Sequence, residues 1–206
     1  MEEKVTFQAG NLTLEGLLWT PAGGGEKGAV LCHPHPLYGG DMHNNVVSAL
    51  AEALQKQNIA TLRFNFRGTG QSEGSHGGGE AEKEDVKAAV SYLLSRQAVS
   101  TLAVVGYSFG AAVGLRAGAE DARVTTLVGV ALPVGVADPS FLLSYTKAKL
   151  FVTGDQDNFC PLPALKDLFA RCPEPKAMAV ISGADHFFWG GEAEVAKAVV
   201  EFLRKE

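Results

Sequence analysis

Cysteine is scarce: the chain has three, Cys32, Cys160 and Cys172. An odd and small number builds neither a disulfide framework nor a CxxC metal knuckle, and it points to a reducing, cytoplasmic setting. Basic clusters are missing too. Acidic residues (23) outnumber Lys and Arg (18), for a formal charge of −5. Nucleic-acid binding thereby loses its electrostatic basis. The longest uncharged apolar stretch, Val124 to Ala137, is interrupted by Pro133 and is too short to span a bilayer. The opening Met1-Glu2-Glu3-Lys4 has neither the basic nor the apolar region of a signal peptide. Internal repeats and long linkers are absent as well, and 206 residues suit one domain, 1–206.

What is present is alternation. Lys4–Gln8 and Leu12–Trp19 flank Gly10-Asn11 and read as a hairpin. Apolar strand-length runs follow at Ala29–Cys32, Thr61–Phe66, Leu102–Tyr107, Thr126–Ala131, Lys149–Thr153 and Ala177–Ile181. Segments of helical period separate most of them, near 44–57, 80–96, 109–119 and 164–170, and 192–205 closes the chain. This order predicts an α/β fold: a mostly parallel central sheet with an antiparallel N-terminal hairpin and helices on both faces. Arg63 and Asn65 are out of place in a buried strand, and nothing in the sequence accounts for them.

The strongest chemical signal is Gly106-Tyr107-Ser108-Phe109-Gly110, between an apolar strand and the small-residue helix that starts Ala111-Ala112. A strand–turn–helix carrying GxSxG is the setting of a nucleophile elbow, whose crowded turn needs glycine two residues before and after the serine. The bland alternative is a tight turn whose serine caps the next helix. A serine hydroxyl needs a base. His186 is the one histidine after Ser108, in the loop following the last predicted strand. The acid that fixes its tautomer comes from Gly154-Asp155-Gln156-Asp157. Asp157 is preferred, because Gly154 and Asp155 make the turn away from the strand. Asp185 is discounted because neighbouring side chains diverge. The chain order Ser…Asp…His fits an α/β-hydrolase.

Acyl transfer also needs donors for the developing oxyanion. The backbone N–H of Phe109, next to the nucleophile, supplies one. The second is expected from His33-Pro34-His35-Pro36-Leu37-Tyr38-Gly39-Gly40, where the prolines have no N–H and leave that of His35 rigidly placed. The paired imidazoles raise a metal site, but only Cys32 and Asp41 sit nearby as further ligands, so His33 and His35 read as structural or pocket-lining. Arg67-Gly68-Thr69-Gly70-Gln71-Ser72-Glu73-Gly74 resembles a phosphate cradle, but no helix follows it at once and it lacks the lysine of a P-loop. It reads instead as a turn-rich loop with Arg67 bound to backbone or carboxylate. Glu80 and Asp85 suit the start of a helix and carry no assigned chemistry.

In this order the motifs resemble the α/β-hydrolase superfamily across nearly the whole chain, and within it small bacterial hydrolases near the dienelactone hydrolase group. The resemblance places the oxyanion donor at His35 and the acid at Asp157. It departs from dienelactone hydrolases proper in using Ser108 where those use cysteine. Only 134–147 separates two predicted strands where relatives insert a cap, which leaves room for one short helix and a minimal cap or none. The expectation is a cytoplasmic serine hydrolase of carboxylic esters with short acyl groups. It would act on a small molecule through Ser108, His186 and Asp157, with no cofactor, metal, nucleic-acid or membrane partner. Thioester, lactone or peptide hydrolysis on the same residues is the alternative, as is a non-catalytic binding module that keeps the fold.

Overall fold

The computed structural model describes residues 1–206. Its eight strands are β1 (Glu3–Ala9), β2 (Leu12–Trp19), β3 (Lys27–Cys32), β4 (Ala60–Phe64), β5 (Thr101–Tyr107), β6 (Thr126–Val130), β7 (Ala148–Gly154) and β8 (Lys176–Ile181). They form one sheet in the order β1-β2-β4-β3-β5-β6-β7-β8. β2 is antiparallel to both of its neighbours, and every later pair is parallel. The helices are α1 (Asn45–Gln55), α2 (Glu82–Arg96), α3 (Phe109–Glu120), α4 (Leu162–Arg171) and α5 (Glu192–Leu203).

The two-residue alternation of side chains along the central strands makes two cores. Ala29 and Leu31, Ala103 and Val105, Val128 and Val130, and Leu150 and Val152 pack under α1 and α5. Val30 and Cys32, Leu102 and Val104, Leu127 and Phe151 face the other way, under α2, α3 and α4. Strands buried on both faces therefore read as continuous apolar runs.

This winding fixes where a ligand goes. From β3 the chain crosses to β4 on one side, and from β4 it returns to β5 on the other. The loops leaving the carboxyl ends of β3 and β5 thus part at a topological switch point, where open α/β sheets place their crevice.

Several predicted boundaries move by about two residues, and two of these shifts have a visible cause. β4 stops at Phe64 rather than Phe66, because the next two backbone N–H groups are taken elsewhere: Asn65 donates to the Glu15 carbonyl at 3.0 Å and Phe66 to His33 Nε2 at 3.1 Å. α2 starts at Glu82 rather than Glu80, because the buried Glu82 carboxylate accepts from the N–H of Gly77 at 2.6 Å and of Gly79 at 2.8 Å, folding the approach into a turn.

Arg63 and Asn65 now have their reason. Arg63 donates to both oxygens of Glu2, to the Met42 carbonyl at 3.0 Å and to Ser48 at 2.8 Å. Asn65 accepts from Met42 N–H at 2.8 Å and donates to Glu15 at 2.6 Å. Buried polar groups persist where their hydrogen bonds are made, and these tie the loop after β3 to the sheet. Arg67 is likewise held by the buried Asp85, which accepts from its Nη2 at 2.6 Å and from its backbone N–H at 3.0 Å.

Between β6 and β7 the chain makes one 3-10 turn, Ser140–Leu143, and no helical cap. Leu142 and Tyr145 join the core. Pro133, Val136, Ala137 and Asp138 form part of the cleft wall. No helix is long and apolar enough to cross a membrane.

Candidate active site

Ser108 sits at the sharp corner between β5 and α3 with φ 55° and ψ −116°. A non-glycine residue at positive φ is strained and must be held there. Its N–H donates to the Val130 carbonyl at 2.9 Å, and its own carbonyl accepts from Ala111 and Ala112. The flanking glycines are forced by contact rather than flexibility. A Cβ on Gly106 would run into the carbonyl of Gly110, and one on Gly110 into that of Cys32 at the end of β3. The serine cannot be presented without both.

Ser108 Oγ lies 2.9 Å from His186 Nε2. On the other side of the ring, His186 Nδ1 lies 2.8 Å from Asp157 Oδ2 and 3.0 Å from Oδ1. Asp157 is 4% exposed, and its Oδ1 also accepts from the N–H of Phe159 and of Cys160, each at 2.8 Å. The carboxylate is thereby fixed as an acceptor. Nδ1–H donates to it, which leaves Nε2 free to accept from the Ser108 hydroxyl. Asp155 goes elsewhere: it accepts from Gly183 N–H at 2.8 Å, joining its own loop to the loop of His186. Asp185 accepts from Phe187 N–H in a local turn at 2.9 Å.

Tyr107 is a participant that the sequence does not reveal. Its hydroxyl donates to the His186 carbonyl at 2.8 Å, so the residue before the serine also holds the histidine loop. Burial pushes its phenol well above the usual range. In the sequence it is only an apolar-looking strand residue.

The loop after β3 reaches the same point. His35 precedes a short 3-10 turn, Pro36–Tyr38, and its carbonyl accepts from Tyr38 and Gly40 while its Nδ1 accepts from Leu37 N–H. The N–H groups of His35 and Phe109 donate to no protein acceptor. The two side-chain rings pack against each other at 4.8 Å between centroids. His76 completes this wall at 5.0 Å from the His35 ring, with Glu82 behind it. Burial, with the neighbouring His76 in support, holds His35 below the usual imidazole range.

His33 is structural. It is fully buried, its Nδ1–H donates to the Pro34 carbonyl at 2.7 Å, and its Nε2 accepts from Phe66 N–H at 3.1 Å. Both nitrogens are spent, and no group of three His, Cys, Asp or Glu side chains converges here or elsewhere as a metal site. Burial pushes its imidazole down from 6.5 to about 4. Because the folded value lies below the unfolded one, the neutral form's contribution is complete above 6.5 and is lost as the pH falls towards 4. That difference is worth about 3 kcal/mol. Urea unfolding should show stability falling through this window, and NMR should show His33 still neutral at about pH 5. A His33 signal titrating at the ordinary imidazole value would contradict this assignment.

The cleft over Ser108 has a volume of about 1480 Å³. Its rim is open: Tyr38 is 87% exposed, Val136 82% and Trp189 76%.

The chain is similar to known proteins over most of its length. A family model described as serine aminopeptidase, S33, matches residues 29–150. An uncharacterized protein of Rickettsia prowazekii is 32% identical over 185 residues, covering 85% of this chain and 77% of that protein. A solved α/β serine hydrolase homologue from Coxiella burnetii is 34% identical with a TM-score of 0.89, covering 97% of this chain and 96% of that one. A Xanthomonas campestris structure described as an α/β serine hydrolase without lid is 29% identical with a TM-score of 0.89, covering 99% of this chain and 94% of that one.

Proposed function

The chain belongs to the serine aminopeptidase S33 family of α/β hydrolases, and on that premise we propose that it hydrolyses carboxylic esters with short acyl groups through Ser108, His186 and Asp157. The observation that carries this reading is the continuous line from Ser108 Oγ through His186 to the buried Asp157, beside two unspent backbone donors.

The chemistry follows from that line. Ser108 Oγ attacks the ester carbonyl as its proton passes to His186 Nε2. The carbonyl π electrons move to oxygen, and that oxyanion accepts from the N–H groups of His35 and Phe109. Asp157 stabilises the imidazolium without taking its proton. The C–O bond to the alcohol then breaks, and Nε2 protonates the departing oxygen. A water molecule repeats the sequence on the acyl-enzyme: it gives its proton to Nε2 and attacks, and the collapse returns that proton to Ser108 Oγ.

The open rim sets the expected substrate length. An acyl chain lying in an uncovered cleft is only part buried, and each methylene contributes at most about 0.8 kcal/mol when fully buried. Across p-nitrophenyl esters, kcat/KM is expected to peak at acyl groups of roughly two to six carbons, with no jump in rate once micelles form. A maximum at long chains would contradict the short-acyl reading. Aminoacyl anilides belong in the same panel, because a higher kcat/KM on them would move the reading to peptide bonds.

A further inference from the structure

A short acyl group occupies a small part of this cleft, whose 1480 Å³ exceeds the roughly 300–1,000 Å³ of most ligand pockets. The rest has a particular chemistry. Of the eight large hydrophobic side chains exposed on the molecule, five line this cleft: Tyr38, Val136, Phe159, Phe187 and Trp189. Apolar surface gathered in one exposed place marks a contact site, whereas scattered single residues do not. Two of the five pack on His186, and Trp189 lines the same cleft on the same loop. The Phe159 ring lies 4.8 Å and the Phe187 ring 5.7 Å from the imidazole, and Trp189 follows two residues later. Phe159 is tied to the acid loop through its N–H on Asp157, so the wall is built into the loops that hold the acid and the base.

Position identifies the part of the substrate that meets this wall. The atom that departs must take its proton from His186 Nε2, and so lies within hydrogen-bond reach of it, about 3 Å. The group attached to that atom then runs along the rings packed on the imidazole. The oxyanion faces the other wall, at His35 and Phe109. None of the three aromatic side chains carries a charge, so an ionic alcohol would find no counter-charge among them. We propose that Phe159, Phe187 and Trp189 form the leaving-group subsite and that it takes a planar aromatic alcohol, making the substrates aryl or arylmethyl esters. The proposal rests on the Ser108–His186 reading of the site.

The test separates leaving-group binding from leaving-group chemistry. The acetyl esters of 2-naphthol and of hexafluoroisopropanol release alcohols of similar acidity and leave the same acetyl-enzyme, so their kcat/KM ratio reads the subsite. The naphthyl ester is expected to be preferred. Trp189→Ala and Phe187→Ala should each lower that preference roughly two- to tenfold, the range of one aromatic contact, and Trp189→Phe should restore most of it. As a readout free of catalysis, 2-naphthol binding to Ser108→Ala should weaken in the Ser108→Ala, Trp189→Ala double variant. If both esters are cleaved with no naphthyl preference, or the preference survives both alanine variants, the subsite is overturned. If neither ester is cleaved while 2-naphthol binds and depends on Trp189, the aromatic wall stands and the hydrolase reading fails.

Discussion

Ser108→Ala is expected to lower the proposed ester hydrolysis by about 10⁶ in kcat, the cost of losing the nucleophile in a comparable serine site, and to leave the melting temperature where it was. Both halves follow from how the turn is held. The hydroxyl has one protein partner, His186 Nε2. The strained corner itself is fixed by main-chain bonds from Ser108 N–H to Val130 and from Ala111 and Ala112 to the Ser108 carbonyl. Alanine keeps all of them and has the same difficulty at positive φ as serine. Steady-state kinetics with a thermal melt checks both. Retained activity in a folded variant would remove Ser108 from the chemistry.

Asp157→Asn is the second large effect, a loss in kcat of about 10⁴. Oδ1 of Asp157 accepts from the N–H groups of Phe159 and Cys160 and therefore has to remain an oxygen. The amide NH₂ of asparagine then takes the place of Oδ2, which lies 2.8 Å from His186 Nδ1. Nδ1 then meets the amide NH₂ at its nearer contact and keeps only the 3.0 Å contact to Oδ1, which two N–H groups already share; accepting from the NH₂ puts the proton on Nε2, which can then no longer take one from Ser108. Asp155→Asn differs because the oxygen that accepts from Gly183 N–H is kept, while the Ser182 hydroxyl at the other position can accept from the amide NH₂ instead of donating. Its cost should stay under about tenfold, in line with one exposed hydrogen bond. Kinetics on the two variants side by side decides between the acids, and the reverse ranking would transfer the role to Asp155.

The sequence shows most of this architecture because its signals are local. Apolar runs such as Leu102–Tyr107 are strands buried on both faces, and Gly106 and Gly110 mark a corner where backbone meets backbone. Loop position favours Asp157 over Asp155, and Asp157 is the one that lies against His186. Partners far apart in the chain are what cannot be read. Arg63 and Asn65 make sense only once Glu2, Glu15, Met42 and Ser48 are beside them. Glu82 looks like a surface helix residue until the turn at Gly77 and Gly79 folds onto it. The phenol of Tyr107 finds the His186 carbonyl 79 residues away.

The central claim is that Ser108 is a nucleophile activated by His186. A fluorophosphonate tests it without knowledge of the substrate, because the reagent bonds to an activated serine oxygen and releases fluoride. Intact-mass and peptide mass spectrometry of the treated protein should find one adduct, on Ser108, absent from Ser108→Ala and formed much more slowly in Asp157→Asn. Native protein that stays unlabelled, or an adduct on any other residue, would contradict the account.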